Sequence, residues 1–399
     1  MSATPCRSAN RLTVVTVITR LEGGAGAHAL RGLRGLDRSA FDPLVVTGSA
    51  AGALARQAAD HDIDVIVTRL LKPTIAPASD VGALRWLTGL LADLAPDVVH
   101  THCAKAGAVG RLAARRAGVP RIVHTYHGFP FHEFQPPLRR RAYIEAERRL
   151  GRITDVGLCV GTGVAVEAIR RQILPPHRVR TVGVPVEGVG AADSGPVARQ
   201  QARTRLGLPP DALVVGAVGR LTYQKAPEDF VAAIRALDRA DVTGVWVGGG
   251  ELAGQVGKLA SAAGGRVLLA GERDDAADLL PAFDVFALPS RYEGLPTAVA
   301  EAMICGVPVV ATAVNAVADL VEPGVTGMLV PPARPEVMAE AIRYVLDSPA
   351  ESAQMATAAR ARVGHRYEIR TLAGALAAAY VAKSGFGPSN RAPIAASAT

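Results

Sequence analysis

The sequence predicts an α/β protein built from two doubly wound, Rossmann-like parallel sheets that face each other across a cleft. Three observations carry this. Short apolar runs alternate with helical stretches in a βαβα rhythm, the pattern of a parallel sheet covered by helices. The rhythm breaks at a Gly/Pro/Ser-containing stretch near 183–197 and then starts again, as a hinge between two units would require. At 399 residues and 49% hydrophobic, the chain can bury two ordinary cores.

A first strand is expected at 11–18, followed by the glycine loop Glu22-Gly23-Gly24-Ala25-Gly26-Ala27-His28 opening a helix. Apolar runs at 44–47, 64–67, 98–101 and 121–125 read as the next strands, with helices at 50–60, 80–95 and 106–117 between them. After the hinge, strands are expected at 213–218, 244–247, 266–269, 284–288, 308–311 and 327–330. The intervening helices are read at 226–239 and 250–263, with one opening near Pro296, where proline suits a first helical position. Later helices are read at 335–346, 350–362 and 369–383. The expected division is one unit over 1–188, a second over 198–366, a helix at 367–383 that returns to the first unit, and a mobile Ser/Ala/Pro-rich tail at 384–399.

Charge is uneven. Residues 1–190 hold 25 Lys and Arg against 15 Asp and Glu, although the whole chain is only +8, and eight of the nine histidines also lie there. This asymmetry points to an anionic partner for the first unit. Aromatic residues make up only 4%, too few for the stacking platforms of a nucleic-acid binder, so no nucleic-acid partner is expected. Cys6, Cys103, Cys159 and Cys305 are scattered and read as free thiols of a reducing cytosol. The polar N-terminus lacks an apolar h-region, and the uncharged stretch 302–318 is too short and interrupted to span a bilayer. A cytoplasmic location is expected.

The densest chemistry lies at 289–303, Pro-Ser-Arg-Tyr-Glu-Gly-Leu-Pro-Thr-Ala-Val-Ala-Glu-Ala-Met. It follows a strand, so it sits where open α/β sheets bind ligands. Glu293 lies in the turn and Glu301 is eight positions on, in the helix. The helix start favours phosphate, and carboxylates on either side of it can accept hydrogen bonds from hydroxyls, as a nucleotide sugar would offer. Arg220 and Lys225, after the strand at 213–218, can neutralise a diphosphate; a solvated loop is the plainer alternative. Gly23 and Gly24 allow close backbone approach to a ligand. His127, after the strand at 121–125, faces the cleft or serves structure alone, and His100 and His102 read as a hydrogen-bonded pair. The basic helix 138–150, with Leu138, Tyr143 and Leu150 as an apolar edge, suits an anionic lipid surface or plain solvation.

These motifs together resemble the family 4 retaining glycosyltransferases of the GT-B fold. The resemblance rests on Glu293…Glu301 followed by Ala-Met-Ile-Cys-Gly-Val-Pro-Val-Val-Ala-Thr, on Gly219-Arg220 with Lys225, and on His127-Gly128. Residues 101–113 and 124–129 resemble the bacterial capsule and exopolysaccharide branch. The resemblance implies that the first unit binds acceptor and the second binds an NDP-sugar donor, expected to be a UDP-sugar. It implies that Glu301 meets the ribose, Glu293 the transferred sugar, and Arg220, Lys225 and Gly24 the diphosphate. Gly294, Leu295, Pro296 and Thr297 would line the sugar and phosphate, Glu272 and Arg273 would meet the base, and His127 the sugar near its reacting carbon. No metal or other cofactor is expected. The implied acceptor is a lipid-linked glycan at the inner membrane face. A soluble small-molecule acceptor, a nucleotide-sugar epimerase and a silent nucleotide or anion binder are the alternatives. Three departures from the family pattern stand out: Val182-Gly183 for Asn-Gly, Gly161 for a serine, and Asn315-Ala316 with Asp319 for Gly-Gly and a glutamate.

Overall fold

The computed structural model describes residues 11–50, 52–186, 195–364 and 367–381. The first half runs Leu12–Ile18 (β1), Gly23–Arg34 (α1), Phe41–Thr47 (β2), Gly52–Asp60 (α2), Asp64–Val67 (β3), Pro77–Leu94 (α3), Val98–His102 (β4) and Ala104–Arg116 (α4). It continues Arg121–Tyr126 (β5), Pro137–Gly151 (α5), Val156–Cys159 (β6), Thr162–Arg170 (α6) and Val179–Thr181 (β7). The second half opens with Pro196–Leu206 (α7), Leu213–Val218 (β8), Pro227–Leu237 (α8), Val242–Val247 (β9), Ala253–Ala262 (α9) and Val267–Gly271 (β10). It proceeds through Val285–Leu288 (β11), Thr297–Cys305 (α10), Val309–Thr312 (β12), Val317–Leu320 (α11), Met328–Val330 (β13), Pro335–Asp347 (α12) and Pro349–Gly364 (α13). Ile369–Val381 (α14) ends the described chain.

The strands form two all-parallel sheets, ordered β3-β2-β1-β4-β5-β6-β7 and β10-β9-β8-β11-β12-β13. Each reverses its strand order once, between β1 and β4 in the first and between β8 and β11 in the second. These are the switch points at which such sheets bind ligands beyond the strand carboxyl ends. The central strands are buried on both faces: Val14 to Ile18 are at most 1% exposed, and the polar His100, Thr101, His124 and Thr125 of β4 and β5 are buried beside their apolar neighbours.

β6, β7, α6 and α7 were not foreseen. The strands are only four and three residues long and carry no alternation to read. β2 also starts earlier than its apolar run, at Phe41, and so includes Pro43. Pro43 is tolerated because β3 pairs with β2 only from Leu44 onward. Of the expected hinge, 187–194 lies outside the described residues, as does the tail at 384–399 and the end of the first unit at 188.

α14 packs on α1 and β5 of the first sheet. Leu372, Leu376, Ala379 and Tyr380 join the core formed by Val14, Leu30 and Leu33. Each buried leucine is worth about 1.5–3 kcal/mol, so the helix is held firmly. The chain therefore crosses between the halves twice, and the crossings meet: the Val186 amide donates to the Tyr367 carbonyl at 3.0 Å. Elsewhere in the first half, Arg111 is fully buried and paired with Glu147 at 2.9 Å, and it also donates to the Tyr126 hydroxyl. Partners on α4, α5 and β5 so satisfy one desolvated cation.

The basic helix is α5. Leu138 is exposed and Arg139 and Arg141 face solvent, but Leu150 is buried with Ile144 and belongs to the core, not to an apolar outer edge. The helix period explains the correction: positions 144, 147 and 150 fall on the inward stripe.

Candidate functional site: the cleft between the sheets

Loops from both sheets enclose a cleft of about 550 Å³. From the second sheet come Gly219, Arg220, Gln224 and Lys225 after β8, Gly248 and Gly249 after β9, and Glu272 and Arg273 after β10. The turn after β11 and the first turns of α10 add Glu293, Gly294, Leu295, Pro296, Thr297 and Glu301. The first sheet contributes Gly23, Gly24 and Arg31 from α1 and His127 after β5. All thirteen site residues named from the sequence line this one space. Arg31, Gln224, Gly248 and Gly249 were missed. The Gly-Gly-Gly run at 248–250, directly after a strand, carried the signal for two of them.

Glu293 is the best-anchored side chain here. Its Oε1 accepts from Lys225 Nζ and from the Ser290 hydroxyl, each at 2.6 Å, while Gln224 approaches Oε2 at 3.3 Å. Its backbone amide donates to Asn315 Oδ1 at 2.9 Å. Oε1 is thus saturated, and Oε2 is the oxygen with capacity to spare. The Lys225–Glu293 pair is largely desolvated, so removing either partner would strand a charge at about 3–5 kcal/mol. Arg220, by contrast, is exposed and makes no ion pair among the described residues. Arg273 is held by Asp275 at 2.7 Å.

Pro296 caps α10 rather than occupying its first turn, and the helix ends at Gly306 in the left-handed region. Its N-terminal amides face the cleft opposite Gly24, whose missing Cβ would lie 3.7 Å from the Thr297 hydroxyl. Burial pushes the Glu301 carboxyl above its ordinary value, with Arg31 across the cleft pulling the other way. A Cβ on Gly294 would overlap the His127 carbonyl oxygen, so this contact admits glycine alone.

Behind His127 lies a group of buried imidazoles. His102 Nδ1 and His127 Nε2 are 3.0 Å apart. His100 does not bond His102 as expected, although their rings are neighbours at 4.2 Å. It bonds the Tyr380 hydroxyl and Thr125 Oγ1, each at 2.7 Å, so polar groups on α14 and β5 outcompete the adjacent ring. Burial lowers His127 to about 4 and His100 to about 3, which keeps the group neutral at physiological pH. Among the described residues, no three or more His, Cys, Asp or Glu are grouped so as to hold a metal ion.

Two of the three departures from the family pattern, with Asp319, meet in space. A Cβ on Gly161 would overlap the Ala316 Cβ and lie 2.9 Å from Asp319 Oδ2. That carboxylate accepts the Thr162 amide at the start of α6, 2.5 Å away, across the two halves. Asn315 stands at φ 43°, a left-handed conformation that asparagine tolerates better than most residues. The methyl group gained at 316 fills the space surrendered at 161.

The fold and the cleft together define a glycosyltransferase of the GT-B class. Residues 22–187 match the model described as Glycosyltransferase Family 4, and residues 212–348 match that of Glycosyl transferases group 1. The chain is 31% identical over 280 residues to the UDP-Gal:alpha-D-GlcNAc-diphosphoundecaprenol alpha-1,3-galactosyltransferase of Escherichia coli, covering 68% of this chain and 72% of that one. The chain belongs to glycosyltransferase family 4. It is also 34% identical over 281 residues to the D-inositol 3-phosphate glycosyltransferase of Actinosynnema mirum, covering 63% of this chain and 64% of the relative, just under two thirds of its length. Among solved structures, Anabaena HepE in complex with UDP and glucose superposes with a TM-score of 0.78 at 22% identity, over 92% of this chain and 98% of that one. Sucrose-phosphate synthase of Thermosynechococcus elongatus gives 0.79 at 21%, over 93% and 98%. Both share the fold.

Two outcomes are expected. Gly161→Ser forces the halves apart at Ala316, raising the KM for donor, and the added substitution Ala316→Gly restores it; steady-state kinetics of the single and double variants checks this. Glu301→Gln raises the ligand-free Tm at pH 7.5. The native carboxyl is raised in the folded state, so folding loses stability as pH climbs from the ordinary 4.5 through the raised value, and glutamine escapes that loss. Scanning calorimetry across pH should show the gap closing near pH 4.5 and below.

Proposed function

We propose that this glycosyltransferase moves a sugar, with retention, from a UDP-sugar to a hydroxyl of a lipid-linked glycan. The observation that carries the reading is the arrangement around α10: its N-terminus opens between Glu293 and Glu301, with Arg220 and Lys225 in the same cleft. Glu301 accepts from the ribose hydroxyls, and Glu293 Oε2 from a hydroxyl of the sugar. Arg220, Lys225, the α10 amides and the loop at Gly23 and Gly24 hold the diphosphate. Gly294 to Thr297 line sugar and phosphate, Glu272 and Arg273 border the base, and His127 meets the sugar near its reacting carbon. The N-terminal unit, 1–188, takes the acceptor and the unit at 198–366 takes the donor.

In the reaction the bond between the anomeric carbon and the diphosphate oxygen breaks, its electron pair leaving with the diphosphate. The acceptor oxygen bonds to that carbon on the same face and passes its proton to the departing phosphate oxygen. Arg220, Lys225 and the helix amides stabilise the charge that builds there, and no divalent metal is assigned. The names of relatives support both substrates: the Escherichia coli enzyme is named for a UDP-galactose donor and a diphosphoundecaprenol-linked acceptor. A soluble acceptor, as the name of the related kanosaminyltransferase suggests, is the second reading.

We place the enzyme in the cytoplasm, with α5 against the anionic inner membrane face. No helix among the described residues is long and apolar enough to cross a membrane. Leu138 is 81% and Phe134 47% exposed, next to Arg139 and Arg141. An apolar tip ringed by cations suits a surface of anionic headgroups.

A thermal-shift panel tests the donor. UDP at a hundredfold excess over its Kd should stabilise by about 2.7 kcal/mol, a rise of several degrees, while GDP and ADP give less. In Glu301→Ala the UDP shift should shrink and turnover fall severely; turnover equal to the native enzyme would remove the ribose assignment. Flotation with phosphatidylglycerol vesicles tests the surface. The Arg139→Glu/Arg140→Glu/Arg141→Glu variant should stay behind, and equal flotation would defeat membrane docking.

A further inference from the structure

Aromatic residues make up only 4% of the chain, yet two ring pairs sit together beside the cleft and cross between the halves. The His132 ring, in the loop after β5, stacks on the Tyr292 ring, in the turn after β11, at 4.7 Å and 12°. Phe134, two positions on, meets Tyr223, in the loop after β8, at 6.1 Å and 76°. The first pair is half-buried and acts as a joint. The second is different. Phe134 is 47% and Tyr223 44% exposed, so two rings nearly at right angles form an open corner.

The corner is built to hold its shape. The Arg291 guanidinium lies 4.4 Å from the Tyr223 ring centroid. Arg291 is itself fixed by an ion pair to Glu228 at 2.9 Å and by donation to the Tyr223 carbonyl at 2.9 Å. Its amide also donates to the Gln224 carbonyl at 2.8 Å. Across the corner, Gln135 braces the loop that carries Phe134. Its Oε1 accepts the His132 amide at 3.3 Å, and its side-chain amide donates to the Pro130 carbonyl at 3.0 Å. Rings held in place beforehand lose little freedom when a ligand settles on them.

Position selects the ligand. Tyr223 adjoins Gln224 and Lys225, and Tyr292 adjoins Glu293, all of which line the cleft, whereas Tyr223 and Phe134 stand outside its lining. A donor that fills the cleft therefore leaves the corner to the second substrate. In the other direction, Phe134 leads to Leu138 and Arg139 at the tip of α5. Burial, and after it the Arg139 charge, lower the His132 pKa, so that cation stands close to this loop.

We infer that the Tyr223–Phe134 corner is the acceptor's sugar subsite: a pyranose stacks its C–H face on the rings, and the diphosphate linking it to lipid runs outward to Arg139. The inference rests on the proposed lipid-linked acceptor and adds where the chain recognises it. The hydroxyls of a pyranose point mainly sideways, which leaves a face apolar enough to cover an aromatic ring. A guanidinium suits the diphosphate that follows. Each half supplies one ring, so the subsite is complete only when the halves stand together around the donor.

The test is the fluorine NMR spectrum of enzyme labelled with meta-fluorotyrosine and saturated with UDP, the Tyr223 line assigned by its loss in Tyr223→Phe. The probes are farnesyl-diphosphate-linked glucose, galactose and N-acetylglucosamine, with farnesyl diphosphate alone and the methyl glycosides as controls. A farnesyl-linked sugar should move the Tyr223 line where farnesyl diphosphate does not; no movement with any sugar would overturn the inference. By calorimetry, Tyr223→Ala should weaken binding of that probe on the order of tenfold, and Tyr223→Trp should restore it. The UDP-induced rise in Tm should be the same in both variants as in the native enzyme. An unchanged Kd in Tyr223→Ala would remove the stacking role, and an unchanged Kd in Arg139→Gln the diphosphate contact. Failure of the parent reading looks different: methyl glycosides would move the Tyr223 line and bind as tightly as the farnesyl-linked forms, which keeps the corner and removes the lipid.

Discussion

The spacing of the two halves depends on two contacts that leave no room for a Cβ. At Gly294 the turn after β11 meets the His127 carbonyl with no room for a Cβ, and at Gly161 the start of α6 meets Ala316 on equally close terms. These contacts set how near the carboxyl ends of two parallel sheets can come, and so the width of the space between them. A side chain at either point would move every group in the site at once. Loops from both sheets, held at this spacing, enclose one cleft of about 550 Å³.

Within that frame, charge is distributed with economy. The Lys225–Glu293 pair, buttressed by Ser290 and Gln224, fixes a buried carboxylate at the wall of the cleft. Arg220 remains solvated and carries no such obligation. Glu301 is the opposite case. Its carboxyl is pushed toward neutrality by burial, with the Arg31 charge opposing the shift. The imidazoles beneath His127 are kept neutral by the same desolvation, which lets hydrogen bonds and not charge decide their order.

Much of this was legible in the chain. The two parallel sheets followed from apolar runs alternating with helical stretches, because strands covered by helices on both faces are rich in apolar residues. Arg220, Lys225, Glu293 and His127 were singled out by their place after strands, Glu301 by its place in the following helix, and Glu272, Arg273 and Leu295 to Thr297 by the family resemblance; all of them line one cleft. What escaped was set by tertiary context. β7 has three residues and exists only because β6 offers it an edge. His100 bonds Tyr380, which is 280 positions away, so no local reading could have chosen it over His102. Leu150 read as surface until the inward stripe of α5 was known. The departures at 161 and 315–316 looked independent in sequence and are one compensated contact in space.

The stitched crossing near Val186 and Tyr367 has a mechanical meaning. A single connecting segment would act as a tether, leaving one half free to swivel, slide and tilt against the other. Here two connections meet at the Val186–Tyr367 hydrogen bond, and two joined connections leave fewer ways to move than one, as a door held at two points of its frame. α14 is the second pin of that door, clamped into the first core by Leu372 and Leu376. The last described helix, which lines no part of the cleft, thereby helps to join its two walls.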